Sequence, residues 1–253
     1  MAQTEKHAVI TGAGSGIGLA IAKGLAASGW RITILGRNRD KLEAAAGVLG
    51  AACVQVADVT DPEQVLTALG AATSASGPIR LLVNNAGGVA SASFEKTSLQ
   101  AWRQTLDLNL MGAVHCIRAV LPAMKTARWG RIVNVASTAG LVGYRYVSAY
   151  VAAKHALAGL TRALALELAK TGITVNAVCP GYTDTDLIAS AAATIGSATH
   201  RTAEEAMRTF TAINPQGRLV KPEEVAAAVV WLASDEAAAV NGIALPIAGG
   251  EVG

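Results

Sequence analysis

Charge is scarce in this 253-residue chain: Asp, Glu, Lys and Arg make up 15% of it, with a formal net charge of +3. A small positive excess without a Lys/Arg cluster offers a polyanion no track to follow, so nucleic-acid binding is not expected. Cysteine is equally sparse. Cys53, Cys116 and Cys179 are odd in number and lack CxxC spacing, which fits buried thiols in a reducing cytoplasm better than a disulfide framework. The histidines His7, His115, His155 and His200 are scattered, and no pair stands at ligand spacing with a carboxylate, so no metal site is expected. Long apolar runs are missing even though 52% of the residues are hydrophobic and the mean hydropathy is +0.39. The longest stretch free of polar residues, Ala44 to Val54, falls far short of the ~20 residues of a spanning helix. The opening MAQTEKHAVITG carries charge where a signal peptide has its apolar region. The expectation is a soluble, cytoplasmic protein with no membrane association.

The apolar content and low charge exclude intrinsic disorder, and the length suffices for a core that needs neither disulfides nor metal. Short β-branched or apolar runs alternate with longer Ala/Leu-rich periodic segments. Strands are predicted at Ala8–Ile10, Arg31–Leu35, Cys53–Ala57, Leu81–Val83, Arg131–Ala136, Thr174–Val178 and Ile243–Ile247. Helices are predicted at about Gly16–Ser28, Arg39–Leu49, Pro62–Ser76, Leu99–Met124, Ser148–Thr171 and Pro222–Ser234. Two of the helices carry start signals: Asp61-Pro62, and Lys221-Pro222 followed by two acids. This alternation predicts an α/β fold, one domain over residues 1–253, built as a Rossmann-type doubly wound parallel sheet of about seven strands with helices on both faces. From Asp186 to Asn214 no strand pattern appears and the helical periodicity is weak. A segment this long before the last helix reads as a substrate-binding lid or as a plain surface excursion.

After the first strand comes Thr11-Gly12-Ala13-Gly14-Ser15-Gly16-Ile17-Gly18, running into a helix. A turn without Cβ atoms lets the backbone approach a pyrophosphate, whose charge the helix N-terminus stabilises. The spacing of Gly12, Gly16 and Gly18 is GxxxGxG, whereas the usual dinucleotide fingerprint is GxGxxG. An NAD site calls for an acid about 20 residues beyond the glycines. That position reads Leu35-Gly36-Arg37-Asn38-Arg39, without a carboxylate before Asp40. Arg37 could pair a 2′-phosphate bidentately, which favours NADP over NAD, or it could be a solvated residue at a loop mouth.

Tyr150 and Lys154 stand at i and i+4 of a predicted helix, hence on one face. A neighbouring cation favours phenolate and would lower the tyrosine pKa from its usual ~10, as a proton-exchanging tyrosine requires. The spacing also occurs by chance on many helices. Ser137 follows a predicted strand at the carboxyl edge, where open α/β sheets bind ligands. Its hydroxyl could bond a substrate oxygen gaining negative charge, or could simply turn the strand into the loop.

With these residues in view the chain resembles the short-chain dehydrogenase/reductase family over nearly its whole length. The shared motifs are Thr11–Gly18, Asp58-Val59, Asn84-Asn85-Ala86-Gly87, Asn109 within Leu108–Gly112, Ser137, Tyr150 with Lys154, and Pro180-Gly181. The resemblance implies a Ser137–Tyr150–Lys154 triad extended by Asn109. In that scheme Tyr150 is the general acid in reduction and the base in oxidation, and Ser137 polarises the carbonyl. Lys154 bonds the nicotinamide ribose and lowers the Tyr150 pKa, while Asn109 holds a water of the proton relay. It also implies cofactor contacts from Gly12, Ser15, Gly16, Ile17, Gly18, Arg37, Asp58, Val59, Asn85, Ala86, Gly87, Tyr150, Lys154, Pro180, Gly181, Thr183 and Thr185. Asp58 would meet the adenine, Asn85 the adenosine-side ribose region, and Thr185 the phosphate or carboxamide. An Arg placed like Arg37 goes with NADP in this family. Ser15 stands where some NADP members carry a basic residue, and Ala248-Gly249-Gly250 replaces the usual Asp-Gly-Gly.

The expected activity is hydride transfer between NADP(H), or alternatively NAD, and a carbonyl or secondary alcohol. The pattern looks like reductases of 3-oxoacyl thioesters carried by CoA or a carrier protein. Ketone, steroid or sugar-alcohol dehydrogenases of the same family are the alternative, and a non-catalytic nucleotide sensor is a third reading. The expected pocket walls are Thr138–Val147, Gly88–Ser93, Tyr182 and 186–214, with Tyr144 and Tyr146 as stacking surfaces. Arg145 could meet an anionic group or solvent. The resemblance implies a homotetramer through the helices near 99–124 and 148–171 and the last strand.

Overall fold

The structure, a computed structural model, describes residues 6–199 and 202–252; His200 and the first five residues of the sequence lie outside them. Seven strands form one sheet: β1 His7–Thr11, β2 Arg31–Gly36, β3 Ala52–Val56, β4 Leu81–Asn84, β5 Gly130–Val135, β6 Ile173–Pro180 and β7 Ala244–Ile247. Their order is β3-β2-β1-β4-β5-β6-β7, and every pairing is parallel. The order reverses between β1 and β4, and ligands of doubly wound folds bind in the crevice beyond the strand ends at such a point.

Alternation along each strand explains why the strands read as continuous apolar runs. Ile10, Ile34, Val83 and Val133 face one core, shared with Ile21 and Leu25 of α1 (Gly16–Ala27), Leu42 of α2 (Arg39–Leu49) and Val225, Val229 and Leu232 of α9 (Pro222–Leu232). Their neighbours Val9, Leu35, Leu82 and Ile132 face the other core. They pack there with Val65 and Leu69 of α3 (Pro62–Ser76), Ile117 and Val120 of α5 (Gly112–Ala127) and Leu168 of α6 (Ser148–Leu168). Each such side chain contributes about 1.5–3 kcal/mol when fully buried, so both faces of the sheet are closed by burial.

The predicted elements recur with shifted ends, and one differs in kind. The helix predicted over Leu99–Met124 is α4 (Leu99–Leu106) and α5, joined by a π turn at Asp107–Met111. Asn109 sits in that turn, donating from Nδ2 to Thr105 O at 3.0 Å and to Gly88 O at 2.9 Å. The extra residue of a π turn swings one side chain off the helical register, and such turns often occur at functional sites. The Asp186–Asn214 segment is more regular than its sequence implies. It holds α7 (Asp186–Thr199) and α8 (Ala203–Thr211), and α8 starts with a reciprocal capping box between Thr202 and Glu205. Ala192, Ala206 and Phe210 are buried there beneath Tyr182 and Leu219.

A buried polar chain fixes α6 against the sheet. Asn84 Nδ2 donates to Asn134 Oδ1 at 2.8 Å, and Asn134 Nδ2 donates to Thr161 Oγ1 on α6 at 2.9 Å. These buried bonds fix how α6 packs on the sheet, although Asn84 Oδ1 itself has no partner.

Candidate active site

The glycine turn is held from the far side of the switch point. Thr11 Oγ1 accepts from the backbone of Asn85 and of Ala86, each at 2.9 Å. Asn85 Nδ2 donates to Thr11 O at 2.9 Å and Gly12 O at 3.2 Å. Gly12 and Gly16 adopt φ of +66 and +54, where a side chain is disfavoured. A Cβ at Gly18 would stand 2.6 Å from Gly12 O and 2.9 Å from Ala13 Cα, so the turn closes only around glycine. Ser15 is the N-cap of α1 yet makes no side-chain cap bond, and the first turn carries no acid. The leading N–H groups are thus left to face an anion. Thr185 lies over Gly16, its Cγ2 3.2 Å from the Cβ direction, and Thr185 Oγ1 donates to Thr183 O at 3.2 Å. Thr183 Oγ1 donates in turn to Gly181 O at 3.0 Å, so the loop following Pro180 is braced by its own side chains. These features fit a dinucleotide pyrophosphate.

Beyond β2, Arg37 Nη1 lies 3.7 Å from Asp58 Oδ2, with the Arg37 side chain 68% exposed. Asp58 Oδ1 accepts from Thr60 N and Oγ1 at 2.9 and 2.8 Å, which orients the carboxylate that meets the guanidinium. Val59 is buried, and its Cγ2 lies 2.7 Å from the Cβ direction of Gly112, which seats this corner on α5. Ile17 packs on the core beneath the turn.

Ser137, Tyr150, Lys154 and Asn109 come together at the ends of β4 and β5. Ser137 Oγ accepts from Ala139 N at 3.1 Å, capping a short 3₁₀ turn, and also hydrogen-bonds Tyr150. The cap bond shows the serine turning the strand into the loop, and its contact with Tyr150 places its hydroxyl beside the phenol. Lys154 is buried, its Nζ donates to Val135 O at 2.9 Å, and it lies 5.6 Å from the centre of the Tyr150 ring. A Cβ at Gly87 would meet Asn109 Oδ1 at 2.8 Å and Lys154 Nζ at 3.6 Å, so Gly87 is where the two side chains converge.

The expected electrostatics need a correction. Burial dominates and raises the Tyr150 pKa, the Ser137 hydrogen bond opposes that rise, and Lys154 supplies no counterweight. Desolvation pulls Lys154 itself down to about 8. A lysine that loses its proton near 8 is already neutral where a buried phenol with a raised pKa ionises, so it brings no charge to the phenolate.

Four features of the site escape a reading by motif. Cys179 looks like an ordinary core thiol in the sequence, yet the Ser137 backbone bonds it, Lys154 lies near it, and burial pushes it up to about 11. Tyr146, a non-glycine residue at φ 67, accepts from Ala92 N at 2.8 Å, which ties the 88–93 wall to the 138–147 wall. Lys41 backs the glycine turn, its Cβ 3.2 Å from the Cβ direction of Gly14. Tyr144 hydrogen-bonds Thr138 Oγ1 at 2.8 Å and donates to Glu251 near the C-terminus. The Tyr144 ring also meets Tyr182 edge-on at 6.4 Å, and Tyr182 meets Phe210 of α8 at 4.9 Å, joining α8 to the wall. Only the tyrosines had a signal in the sequence, as candidate stacking surfaces. Among the described residues, no helix is long and apolar enough to cross a membrane.

Comparisons with known proteins bear on the family and the fold. A family model described as short chain dehydrogenase matches residues 6–219. D-beta-hydroxybutyrate dehydrogenase of Rhizobium meliloti (strain 1021) is 38% identical over 255 residues, covering 97% of this chain and 98% of that protein. Cyclohexanol dehydrogenase of Acinetobacter sp. (strain SE19) is 41% identical over 245 residues, covering 94% and 91%. A crystal structure of an actinorhodin polyketide ketoreductase variant with NADPH superposes with a TM-score of 0.95 at 38% identity, covering 99% of each chain.

Proposed function

The chain belongs to the short-chain dehydrogenase family of nicotinamide-dependent oxidoreductases acting between CH–OH and C=O, and from that membership we propose that it is an NADP(H)-dependent reductase of 3-oxoacyl thioesters borne by CoA or a carrier protein. The observation that carries the reading is the convergence of Ser137, Tyr150 and Lys154 at the carboxyl edge, beside a glycine turn with an uncapped helix N-terminus. The likeness to a polyketide ketoreductase with NADPH supports both the thioester class and the cofactor.

A nicotinamide bound there supplies or accepts the hydride. The chain's own residues do the rest. Gly12, Ser15, Gly16, Ile17 and Gly18 give the pyrophosphate backbone donors free of Cβ atoms. Arg37 pairs with the 2′-phosphate, a charge-assisted contact an Asp at that position would forbid. Asp58, Val59, Asn85, Ala86 and Gly87 line the adenosine side, and Pro180, Gly181, Thr183 and Thr185 close over the nicotinamide side. Ser137 Oγ holds the carbonyl oxygen and steadies its developing charge. Tyr150 gives that oxygen its proton in reduction and removes it in oxidation. Lys154 anchors the ribose hydroxyls. Asn109, fixed by the π turn, holds the next member of the proton path.

A dehydrogenase of simple ketones and alcohols is the second reading, favoured by the likeness to a cyclohexanol dehydrogenase. A nucleotide sensor is disfavoured because Ser137, Tyr150 and Lys154 are all retained. Residues 186–214 act as the lid. The protein works in the cytoplasm as a homotetramer, a reading supported by the exposed Leu99 and Leu166 on α4 and α6 and tested by light scattering of the eluting species. NADPH consumption with acetoacetyl-CoA, against NADH and against an aryl ketone, tests the activity. Turnover of the thioester with NADPH and little with NADH supports the proposal, while turnover of the ketone alone moves the substrate to free carbonyl compounds.

A further inference from the structure

Glu251 lies three residues beyond Ala248, where the chain leaves β7 and returns over the carboxyl edge of the sheet. One carboxylate oxygen, Oε1, accepts from Tyr144. The other, Oε2, is buried and has no hydrogen-bond partner. It packs against the corner after β6: a Cβ on Gly181, the residue that directly follows Pro180, would stand 2.6 Å from it. On its other side Tyr144 bonds Thr138, next in sequence to Ser137. Tyr182 lies across Tyr144, with Phe210 of α8 behind it. The carboxylate therefore sits where the Tyr144 wall, which reaches Thr138 and Tyr182, meets the Gly181 corner.

A covered carboxylate oxygen without a donor is costly, and native folds keep such atoms where a ligand or water completes them. We propose that Glu251 is a specificity-determining residue whose open oxygen accepts a hydrogen bond from an O–H or N–H group of a neutral carbonyl substrate, and whose charge rejects substrates bearing a carboxylate. The inference rests on the carbonyl-reductase reading above and narrows it. A thioester arm with amide N–H groups, or a hydroxyketone, satisfies Oε2; a plain ketone leaves it bare; a 3-oxo acid sets two carboxylates against each other.

The test uses three small ketones of similar length: 4-hydroxy-2-butanone with a donor, 2-pentanone without one, and acetoacetate with a negative charge. Their kcat/KM values with NADPH are measured for the wild type, Glu251→Gln and Glu251→Ala. The wild type is expected to prefer the hydroxyketone over 2-pentanone by about tenfold or more, and to take acetoacetate least well. Glu251→Ala should bring the hydroxyketone ratio close to one. Glu251→Gln, which keeps the shape and can still accept from Tyr144, should raise acetoacetate relative to 2-pentanone by about tenfold. Unchanged ratios in both variants overturn the proposal. So does a rise in the KM for NADPH alone, which would make the nicotinamide carboxamide the donor. Calorimetric binding of the same ketones to the NADP⁺-loaded protein reads the ranking without turnover. If no ketone or thioester is turned over, the reductase reading fails while that binding order still decides the role of Glu251.

Discussion

Replacing Lys154 with Met should stabilise the protein while removing its activity. The Lys154 side chain is buried, and desolvation brings its pKa from 10.5 to about 8. At ~1.4 kcal/mol per pH unit, that shift means the charged form costs the fold about 3 kcal/mol at neutral pH. Methionine is of similar length and carries no charge, but it leaves Val135 O without the 2.9 Å bond from Nζ, an offset of about 1 kcal/mol. The net gain of about 2 kcal/mol corresponds to a rise in Tm of about 4–8 °C for a domain of this size. The pH dependence identifies the cause. The unfolded chain holds the lysine proton up to about 10.5, whereas the folded chain releases it near 8. The wild type therefore gains stability relative to the variant as pH rises between those values. Scanning calorimetry at pH 7 and pH 9.5 should show the advantage in full at the lower pH and nearly gone at the higher. A Lys154→Met protein less stable than wild type at pH 7, or an advantage independent of pH, would refute the reasoning.

Other expectations concern the cofactor and the π turn. Arg37→Ala should raise the KM for NADPH by about tenfold and leave that for NADH nearly unchanged, because one charge-assisted phosphate contact is lost from an exposed side chain; equal effects on both cofactors would remove Arg37 from the 2′-phosphate. Gly18→Ala would place a methyl 2.6 Å from Gly12 O and 2.5 Å from Asn85 Nδ2, so NADPH affinity followed by fluorescence should fall by at least about tenfold as the turn reopens. Asn109→Ala deletes the bonds to Gly88 N, Gly88 O and Thr105 O. At about 1–3 kcal/mol for each buried group left unpaired, urea unfolding should report a loss of about 2–3 kcal/mol; a loss under about 0.5 kcal/mol would show that the π turn stands without its asparagine.

How much of this was legible in the sequence depends on the range of the interactions. The glycine turn and the Tyr150–Lys154 spacing are local, and periodicity places them correctly between β1 and α1 and on α6. The parallel sheet follows from alternation, since both faces of each strand are apolar. The π turn was not legible: Leu99–Met124 has helical periodicity throughout, and the register break depends on Gly88, 21 residues before Asn109. The regularity of α8 was partly legible, because Thr202 and Glu205 stand at capping-box spacing even though small polar residues mask the helix before them. Tyr144 and Glu251 are 107 residues apart, and no local pattern joins them. The tyrosine pKa is illegible for a related reason: neighbourhood on a helix face predicts charge stabilisation, whereas burial of the tyrosine itself, set by the fold, raises its pKa.

The most direct test of the account is NADPH consumption with acetoacetyl-CoA by the wild type and Tyr150→Phe, with NADPH affinity measured for both. Loss of one positioned general acid should cost about 10²–10⁴-fold in turnover, with cofactor binding retained. A Tyr150→Phe protein that turns over the thioester at the wild-type rate would contradict the assignment of proton transfer to Tyr150.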